Sequence, residues 1–248
     1  MPSAPADPAV QPAVIELRQY TLRSGRRDEL IELFEREFIE TQESAGMLVL
    51  GQFRDLDDPD RFVWLRGFRD MAVRRNALTA FYGGPVWAAH GPQANATMTD
   101  SDDVLLLRPL PDGSGFGVSP SERPPAGALA PDRFVAATLW SFPPARHHGT
   151  ALIRDGLLPL LHRTAPAPVT ALTTETAPNT FPRLPVRTGE NITAVLTSYP
   201  DESAYRRHLA DVLAHPLVRD EILPDLEREQ TAPARVLRLA PTGRSLIH

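Results

Sequence analysis

The stretch VIELRQYTLRSG, residues 14–25, has the pattern of a β-strand that ends in a glycine turn. Side chains alternate along a strand, so Glu16, Arg18 and Tyr20 share one face, whereas the opposite face, which begins with Ile15, carries no charge. A strand with two such different faces raises the question of what covers the charged one. That face is the first candidate for a binding site.

The strand begins a βαββαβ pattern that occurs twice along the chain. In the first half, a helical pattern and two strands joined by the turn DLDDPD precede a helix over 70–81, a second helical segment around 83–97 and a strand over 103–110. The second half repeats this order, with strands at 133–142, 169–175, 191–199 and 235–239 and helices at 149–163 and 202–215. The repeat predicts an α+β fold built from two tandem ferredoxin-like units.

Composition shifts divide the chain into four parts. We expect a disordered tail over residues 1–12 and a first unit, which carries the site, over residues 13–110. Residues 111–131 are rich in Pro, Gly and Ser, which is typical of a linker. Residues 132–248 form the second, diverged unit. Within the second unit, residues 176–190 form a long irregular segment where the first unit has a short Asp-rich turn. Such a segment is typical of a lid or a disordered loop.

The residue types that are missing exclude several chemistries. All 26 basic residues are arginine and the chain has no cysteine, which excludes lysine Schiff bases, thiol nucleophiles, disulfides and cysteine-ligated zinc. A net charge of −5 argues against nucleic acid as a partner. The sequence shows no signal peptide and no membrane-length apolar run, so a cytoplasmic protein without a membrane partner is expected. Arginine in place of lysine, with much Ala and Pro, favours a bacterial origin. No metal and no other cofactor is expected.

The segments IELRQYTLRSGRRDEL, RFVWLRGFRDMAVRRNAL and FYGGPVWAAH resemble the NIPSNAP family, part of the wider dimeric α+β-barrel group. The resemblance is good over residues 14–110, and the second half resembles the family only as a diverged copy. The family's usual Pro-Gly before a lysine is replaced here by Ser24-Gly25-Arg26. The resemblance implies that the two ferredoxin-like sheets face each other as a dimeric α+β-barrel within one chain. NIPSNAP members have no agreed catalytic residues, so none is transferred, whereas related barrels include cofactor-free monooxygenases, isomerases, haem enzymes and binding modules.

The charged face occurs in the first unit only. Laying the units on each other places Glu16, Arg18, Trp64 and Arg66 opposite Ala136, Thr138, Val195 and Thr197. A solvated face would give no reason for this loss of charge, whereas a buried one would. If the first and third strands pair, Arg18 and Arg66 lie close enough to form a fork for a carboxylate, enolate or phenolate oxygen. A structural ion pair around Glu16 is the open alternative.

Elimination and placement give the candidate site residues. Without lysine or cysteine, proton transfer must come from a carboxylate, an imidazole or a phenol, which predicts Glu16 and His90 as acid–base residues and Tyr20 as a hydrogen-bond donor. The predicted substrate-binding residues are Arg18, Arg66, Trp64, Tyr82 and Trp87. For His90 the open alternative is a helix-surface position, and for the aromatic residues it is core filling.

These residues predict a cofactor-independent small-molecule enzyme of bacterial secondary metabolism. Its reaction would be proton transfer, isomerisation, cyclisation or oxygenation of an oxygen-rich or aromatic, acid-like substrate. One alternative is a non-catalytic small-molecule-binding or scaffolding protein of the NIPSNAP family, and another is a haem-binding barrel enzyme. The sequence leaves open the substrate, the reaction, the role of residues 176–190 and whether the protein forms a homodimer.

Overall fold

The computed structural model describes residues 11–111 and 115–248. Most of the expected N-terminal tail and positions 112–114 of the expected linker therefore lie outside the described residues. No helix within the described ranges is long and apolar enough to cross a membrane.

The first unit has four strands and four helices. The strands are β1 (Val14–Leu22), β2 (Leu48–Asp55), β3 (Arg61–Phe68) and β4 (Met98–Pro109). The helices are α1 (Arg27–Leu33) and α2 (Ile39–Ser44), joined by the π-helical turn Phe34–Phe38, then α3 (Met71–Tyr82) and α4 (Pro85–Thr97). Helix α3 begins after Asp70, whose carboxylate accepts a hydrogen bond from the Val73 amide at 2.7 Å and so satisfies a free N–H group of the first turn.

The second unit repeats this arrangement. Its strands are β5 (Phe134–Ser141), β6 (Thr170–Thr174), β7 (Ile192–Tyr199) and β8 (Ala232–Pro241). Its helices are α5 (His148–Ala151) and α6 (Leu158–Thr164), joined by the π-helical turn Leu152–Leu157, then α7 (Glu202–Ala214) and, after the π-helical turn Val218–Ile222, α8 (Leu223–Glu229). The sequence pattern had assigned no element to residues 216–231. Helix α8 continues directly from the π-helical turn Val218–Ile222 and buries Leu226.

The eight strands close into one barrel in the order β1-β3-β2-β8-β5-β7-β6-β4. Each unit contributes four adjacent strands in ferredoxin-like order, β4-β1-β3-β2 and β6-β7-β5-β8. The units join where β2 pairs with β8 and where β4 pairs with β6, both antiparallel. In the closed barrel each of the eight described strands pairs with a neighbour on both sides, although each of the two joins between the units has only three residue pairs. The predicted intrachain dimeric α+β-barrel is confirmed.

The two faces of β1 meet two different environments. Ile15 and Leu17 point into the barrel, where they pack with apolar residues of both units. Tyr20, on the opposite face, packs with residues of the first unit's helices, such as Leu30 and Phe34. The charged face of β1 is therefore covered by helices and buried, which answers the question raised by the first strand.

The expected linker packs against both units instead of spanning them as a free tether. Phe116 joins the core of the barrel interior. The Arg123 guanidinium donates to the Glu43 carboxylate at 2.5 Å and to the Val49 carbonyl oxygen at 2.6 Å. These contacts fix the crossing between the units on the outside of α2 and β2.

Candidate functional site

Three arginines surround a single glutamate beneath the helices of the first unit. Glu16 lies opposite Arg66 across the β1–β3 pair, so Arg18 and Arg66 are on neighbouring strands, as the sequence predicted. One Glu16 oxygen accepts hydrogen bonds from Arg18 at 2.7 Å and Arg66 at 2.8 Å, and the other accepts one from Arg74 at 2.7 Å. All four side chains are buried. We call this group the arginine cluster; Arg74, on α3, had not been singled out in the sequence.

The arginine cluster carries more positive than negative charge, and neutral groups accept hydrogen bonds from some of the remaining N–H donors. Arg18 donates to the Tyr20 hydroxyl at 3.0 Å, and Arg66 donates to the Gln42 side-chain oxygen at 3.0 Å. The Trp64 ring lies 5.0 Å from the Arg66 guanidinium carbon, within the range of a cation–π contact. The excess charge is thus distributed over acceptors and aromatic faces.

The pKa of Glu16 follows from two opposed effects. Burial raises it, whereas the charges of Arg66, Arg18 and Arg74 lower it, and together they hold the Glu16 pKa well below its usual range. Glu16 is therefore a permanently ionised counter-ion whose two oxygens are both occupied. Such a carboxylate is a poor proton acceptor.

The structure brings together all the predicted site residues except His90. His90 lies on α4 with about a third of its side chain exposed, and its Nε2 is 3.5 Å from a Glu37 carboxylate oxygen. Tyr82 and Trp87 pack against each other with ring centroids 4.7 Å apart. The cavity that remains beside Tyr20 is about 30 Å³, enough for one or two water molecules.

The long loop of the second unit, residues 176–190, completes the cover of this region. Asn179 accepts a hydrogen bond from Arg74 at 2.9 Å. Phe181 is buried and stacks on Tyr82 with ring centroids 6.0 Å apart. The first unit is therefore closed by a segment of the second, and its interior is packed.

The same location in the second unit holds a cavity of about 240 Å³. The strand registers match, because Ala136 pairs with Thr197 and Thr138 with Val195 where the first unit pairs Glu16 with Arg66 and Arg18 with Trp64. Asp201 caps α7 as Asp70 caps α3, so Tyr205 occupies the position of Arg74, four residues after the cap. Every charged member of the arginine cluster is thus replaced by a neutral residue. The strand replacements are smaller side chains, and a cavity lies where the larger ones would be.

The cavity walls are mostly apolar, with a few polar groups. Leu157, Val212 and Ile222 line it from the helices, and Trp140 lines it from β5. The lining residues within the described ranges include no arginine, aspartate or glutamate. A concave apolar site with a few placed polar groups is the usual form of a small-molecule site.

Tyr199 and His208 are two titratable residues of the cavity wall, and their side chains contact each other. The Tyr199 hydroxyl is 2.9 Å from His208 Nδ1, and the Thr164 hydroxyl is 2.8 Å from His208 Nε2. Burial raises the pKa of Tyr199 to about 12. Burial also lowers the pKa of His208, against the opposing charge of Asp211. The pair is therefore a neutral phenol and a neutral imidazole near pH 7.

Sequence reasoning missed this pair because it compared the charged face of the first unit with its counterpart and did not look for polar groups gained in the second unit. It did not select Tyr199 or His208 as a site residue. Counted from the two capping aspartates, His208 takes the position of Ala77 in the first unit, and Tyr199 that of Phe68. Two polar groups gained at matching positions were the available signal.

The cavity does not fit the haem-binding alternative. An axial ligand needs a free imidazole nitrogen, and His208 is the one histidine among the described lining residues. Both of its ring nitrogens are already hydrogen-bonded, to Tyr199 and Thr164. No step through haem follows from these residues.

The fold and the location of the cavity define the class of protein: a dimeric α+β-barrel formed within one chain, with a ligand-sized space between sheet and helices in one unit. Comparison of sequences identifies the first unit as a NIPSNAP domain, because the NIPSNAP family profile matches residues 15–113. The resemblance predicted from the sequence is confirmed. No curated protein matches the chain in sequence.

Solved structures with the same architecture span nearly the whole chain. One, from Lactobacillus acidophilus and described as a putative monooxygenase, has 13% identity and a TM-score of 0.56, covering 96% of this chain and 99% of that one. Another putative monooxygenase, from Fusobacterium nucleatum, has 12% identity and a TM-score of 0.58, covering 98% and 99%. An anthrone oxidase-like protein has 10% identity and a TM-score of 0.61, covering 94% and 93%. At these identities the likeness shows the shared fold.

Proposed function

We propose that the protein is a cofactor-independent enzyme that acts on a small, neutral aromatic molecule held in the cavity of the second unit. The observation that carries the proposal is the cavity of about 240 Å³, which approaches the range of roughly 300–1,000 Å³ for ligand sites. Its walls are apolar except for a few groups such as Tyr199 and His208. The expected reactions of proton transfer, isomerisation, cyclisation and oxygenation all require a residue that accepts a proton.

The proposed substrate differs from the acid-like molecule expected from the sequence. That expectation depended on Arg18 and Arg66, whose guanidinium groups contact Glu16 and lie in the packed first unit. The cavity offers no such cation to a carboxylate. A neutral ring system with one or two oxygen substituents suits it better, because an unpaired charge would lose its hydration there.

Binding of naphthalene tests the site without assuming a reaction. We expect the wild-type protein to bind naphthalene in calorimetric titration and Val195→Trp, which restores the first unit's indole at this position, to bind at least tenfold more weakly. Leu129→Trp adds the same indole at an exposed position and should bind as the wild type does. A folded Val195→Trp protein that binds naphthalene with wild-type affinity would contradict the location.

Anthrone is a suitable first substrate, because one structural neighbour is described as anthrone oxidase-like. Loss of a methylene proton gives a carbanion that O₂ can oxidise, and the balanced change is CH₂ + O₂ → C=O + H₂O. We expect the protein to accelerate both deuterium exchange at this carbon and O₂ uptake. If neither rate exceeds that of Val195→Trp, the protein is not an enzyme for this class of substrate.

A non-catalytic binding or scaffolding protein is the second candidate. The packed first unit favours it, since a NIPSNAP domain without ligand space has the features of a structural element. Naphthalene binding without anthrone turnover would support this candidate. A role in bacterial secondary metabolism, a cytoplasmic location and a homodimer remain predictions from the sequence.

A further inference from the structure

The direction of the hydrogen bonds at His208 follows from the one proton that a hydroxyl carries. The Thr164 hydroxyl donates to the Leu160 carbonyl oxygen at 2.9 Å, so it must accept from His208 Nε2–H. A neutral imidazole protonated on Nε2 leaves Nδ1 as an acceptor. The Tyr199 hydroxyl therefore donates its proton to His208 Nδ1.

This arrangement determines what Tyr199 offers to a ligand. Its proton is directed at His208, so its oxygen has lone pairs left to accept a hydrogen bond. Tyr199 lines the cavity and is itself almost fully buried. A ligand that donates an O–H group to this oxygen would complete a chain that runs from the ligand through Tyr199 to His208.

We propose that Tyr199 and His208 form a proton relay in the cavity and that its substrate is a neutral aromatic phenol or enol. The substrate hydroxyl gives its proton to the Tyr199 oxygen, and the Tyr199 proton moves to His208 Nδ1. The products are a phenolate or enolate and an imidazolium, so charge and atoms balance without an oxidant. Thr164 and the Leu160 carbonyl stabilise the imidazolium through its Nε2–H. The relay rests on the proposed function of the cavity.

The groups around His208 favour a neutral starting state. Tyr199 faces it from β7 and Thr164 from the end of α6, and neither is charged near neutral pH. Asp211, on the same helix, is the carboxylate that acts on it, and it opposes the effect of burial on the His208 pKa. Tyr205 is close to Tyr199, with ring centroids 5.3 Å apart. As the pH falls through the lowered His208 pKa, Nδ1 gains a proton and can no longer accept one.

The test compares 2-naphthol with naphthalene, two ligands of nearly equal shape of which one carries a hydroxyl group. We expect the wild type to bind 2-naphthol about tenfold more tightly, the usual effect of one buried hydrogen bond. Tyr199→Phe should lose this preference and retain naphthalene binding. Tyr205→Phe is the matched control, because it removes a second phenol from the same cavity, and it should keep the preference.

The pH profile separates a relay from a simple hydrogen bond. In the wild type, the preference for 2-naphthol should be constant near neutral pH and should fall at acidic pH as His208 is protonated. His208→Gln, whose amide cannot be protonated in this range, should show no such fall. Naphthalene affinity should not vary with pH in any of these proteins.

Three results would overturn the relay. The first is a folded Tyr199→Phe protein that keeps the naphthol preference, the second is an equal loss in Tyr205→Phe, and the third is a wild-type preference that does not change with pH. Failure of wild-type protein to bind naphthalene would instead overturn the proposed function, and the relay with it. Naphthalene binding with no naphthol preference would overturn the relay alone.

Discussion

In the first unit the space between sheet and helices is filled by the arginine cluster and aromatic rings, whereas in the second unit the same space is a cavity of about 240 Å³. Both units have the same strand order, and an aspartate caps α3 in the first unit and α7 in the second. The difference therefore lies in the side chains and in the loop 176–190, which covers the first unit. The same strand order can enclose either a buried ion cluster or a cavity.

The family resemblance and the ligand space fall in different units. The NIPSNAP profile matches residues 15–113, which include Glu16, Arg18 and Arg66, yet Glu16 already accepts hydrogen bonds from both arginines in a packed interior. The second unit lies outside the match, and the cavity of about 240 Å³ lies in that unit. In this repeated fold, the copy that matches the family profile is packed, and the diverged copy contains the cavity.

Glu16→Gln is the substitution with the largest expected effect on stability. Glu16→Gln would leave three buried guanidinium groups facing a neutral amide, and removal of one partner from a buried ion network costs about 3–5 kcal/mol. We expect the free energy of unfolding in urea to fall by that amount. If the unfolding free energy were unchanged, the arginine cluster would not be structural, and an anion-binding role for the arginines would regain support.

The control for Glu16→Gln is Glu202→Gln. Glu202 pairs with Arg206 and Arg238 on the surface, at 2.5 and 2.6 Å, with a third of its side chain exposed. Solvent and salt screen exposed pairs, so they contribute little to stability. The same chemical change should therefore alter stability much less in the second unit than in the first.

Trp64→Val transfers one residue of the second unit into the first. The indole is buried and packs against Phe34 with ring centroids 4.8 Å apart. Its removal leaves a cavity, and we expect a loss of about 3 kcal/mol in unfolding free energy. Naphthalene titration should then show a second binding site. A stoichiometry that stays at one would mean that the neighbouring rings collapse into the space.

The dependence of stability on acidic pH tests the arginine cluster through the Glu16 pKa. The folded-state pKa lies well below the unfolded value of about 4.3, so the contribution of Glu16 is complete above that pH and is lost as the pH falls toward the folded pKa. Wild-type stability should decrease by up to about 1.4 kcal/mol per pH unit below pH 4.3 from this group, or roughly 2 kcal/mol by pH 3.

Glu16→Gln provides the reference for this titration, because the amide does not titrate. Its unfolding free energy, followed from pH 5 to pH 3, should decrease less steeply than that of the wild type. Equal slopes would mean that Glu16 has the same pKa in the folded and unfolded protein, contrary to three contacts at 2.7–2.8 Å.

The sequence was sufficient for the features that follow from alternation and repetition. The alternation of side chains along β1 and β3 predicted which residues share the charged face. The repeated order of strands and helices predicted the barrel. Arg74 could not be recognised, since on α3 it has the spacing of any exposed helical arginine. His90 was placed near the site by family-like sequence alone, and the helix directs it toward Glu37 instead.

The cavity and the cover of the first unit depend on distances that no local pattern encodes. Phe181 lies in a loop of the second unit and packs on Tyr82 of the first, about a hundred residues away. The cavity is the difference between the volume that the barrel and helices enclose and the volume that their side chains fill. That difference sums over α6, α7, α8 and three strands, so it appears only in three dimensions.

The smallest expected effect comes from adding one methylene group in each unit. Val195→Leu extends a side chain into the cavity, where burial of an extra methylene contributes about 0.8 kcal/mol of stability and removes some ligand space. Val49→Leu makes the same change beneath the helices of the first unit, where Val49 is fully buried in a packed core and overpacking costs about 1–3 kcal/mol. Unfolding in urea should therefore give opposite signs, with weaker naphthalene binding in Val195→Leu alone. Destabilisation of similar size in both proteins would show that the second unit is as tightly packed as the first, and the contrast between the units would then not hold.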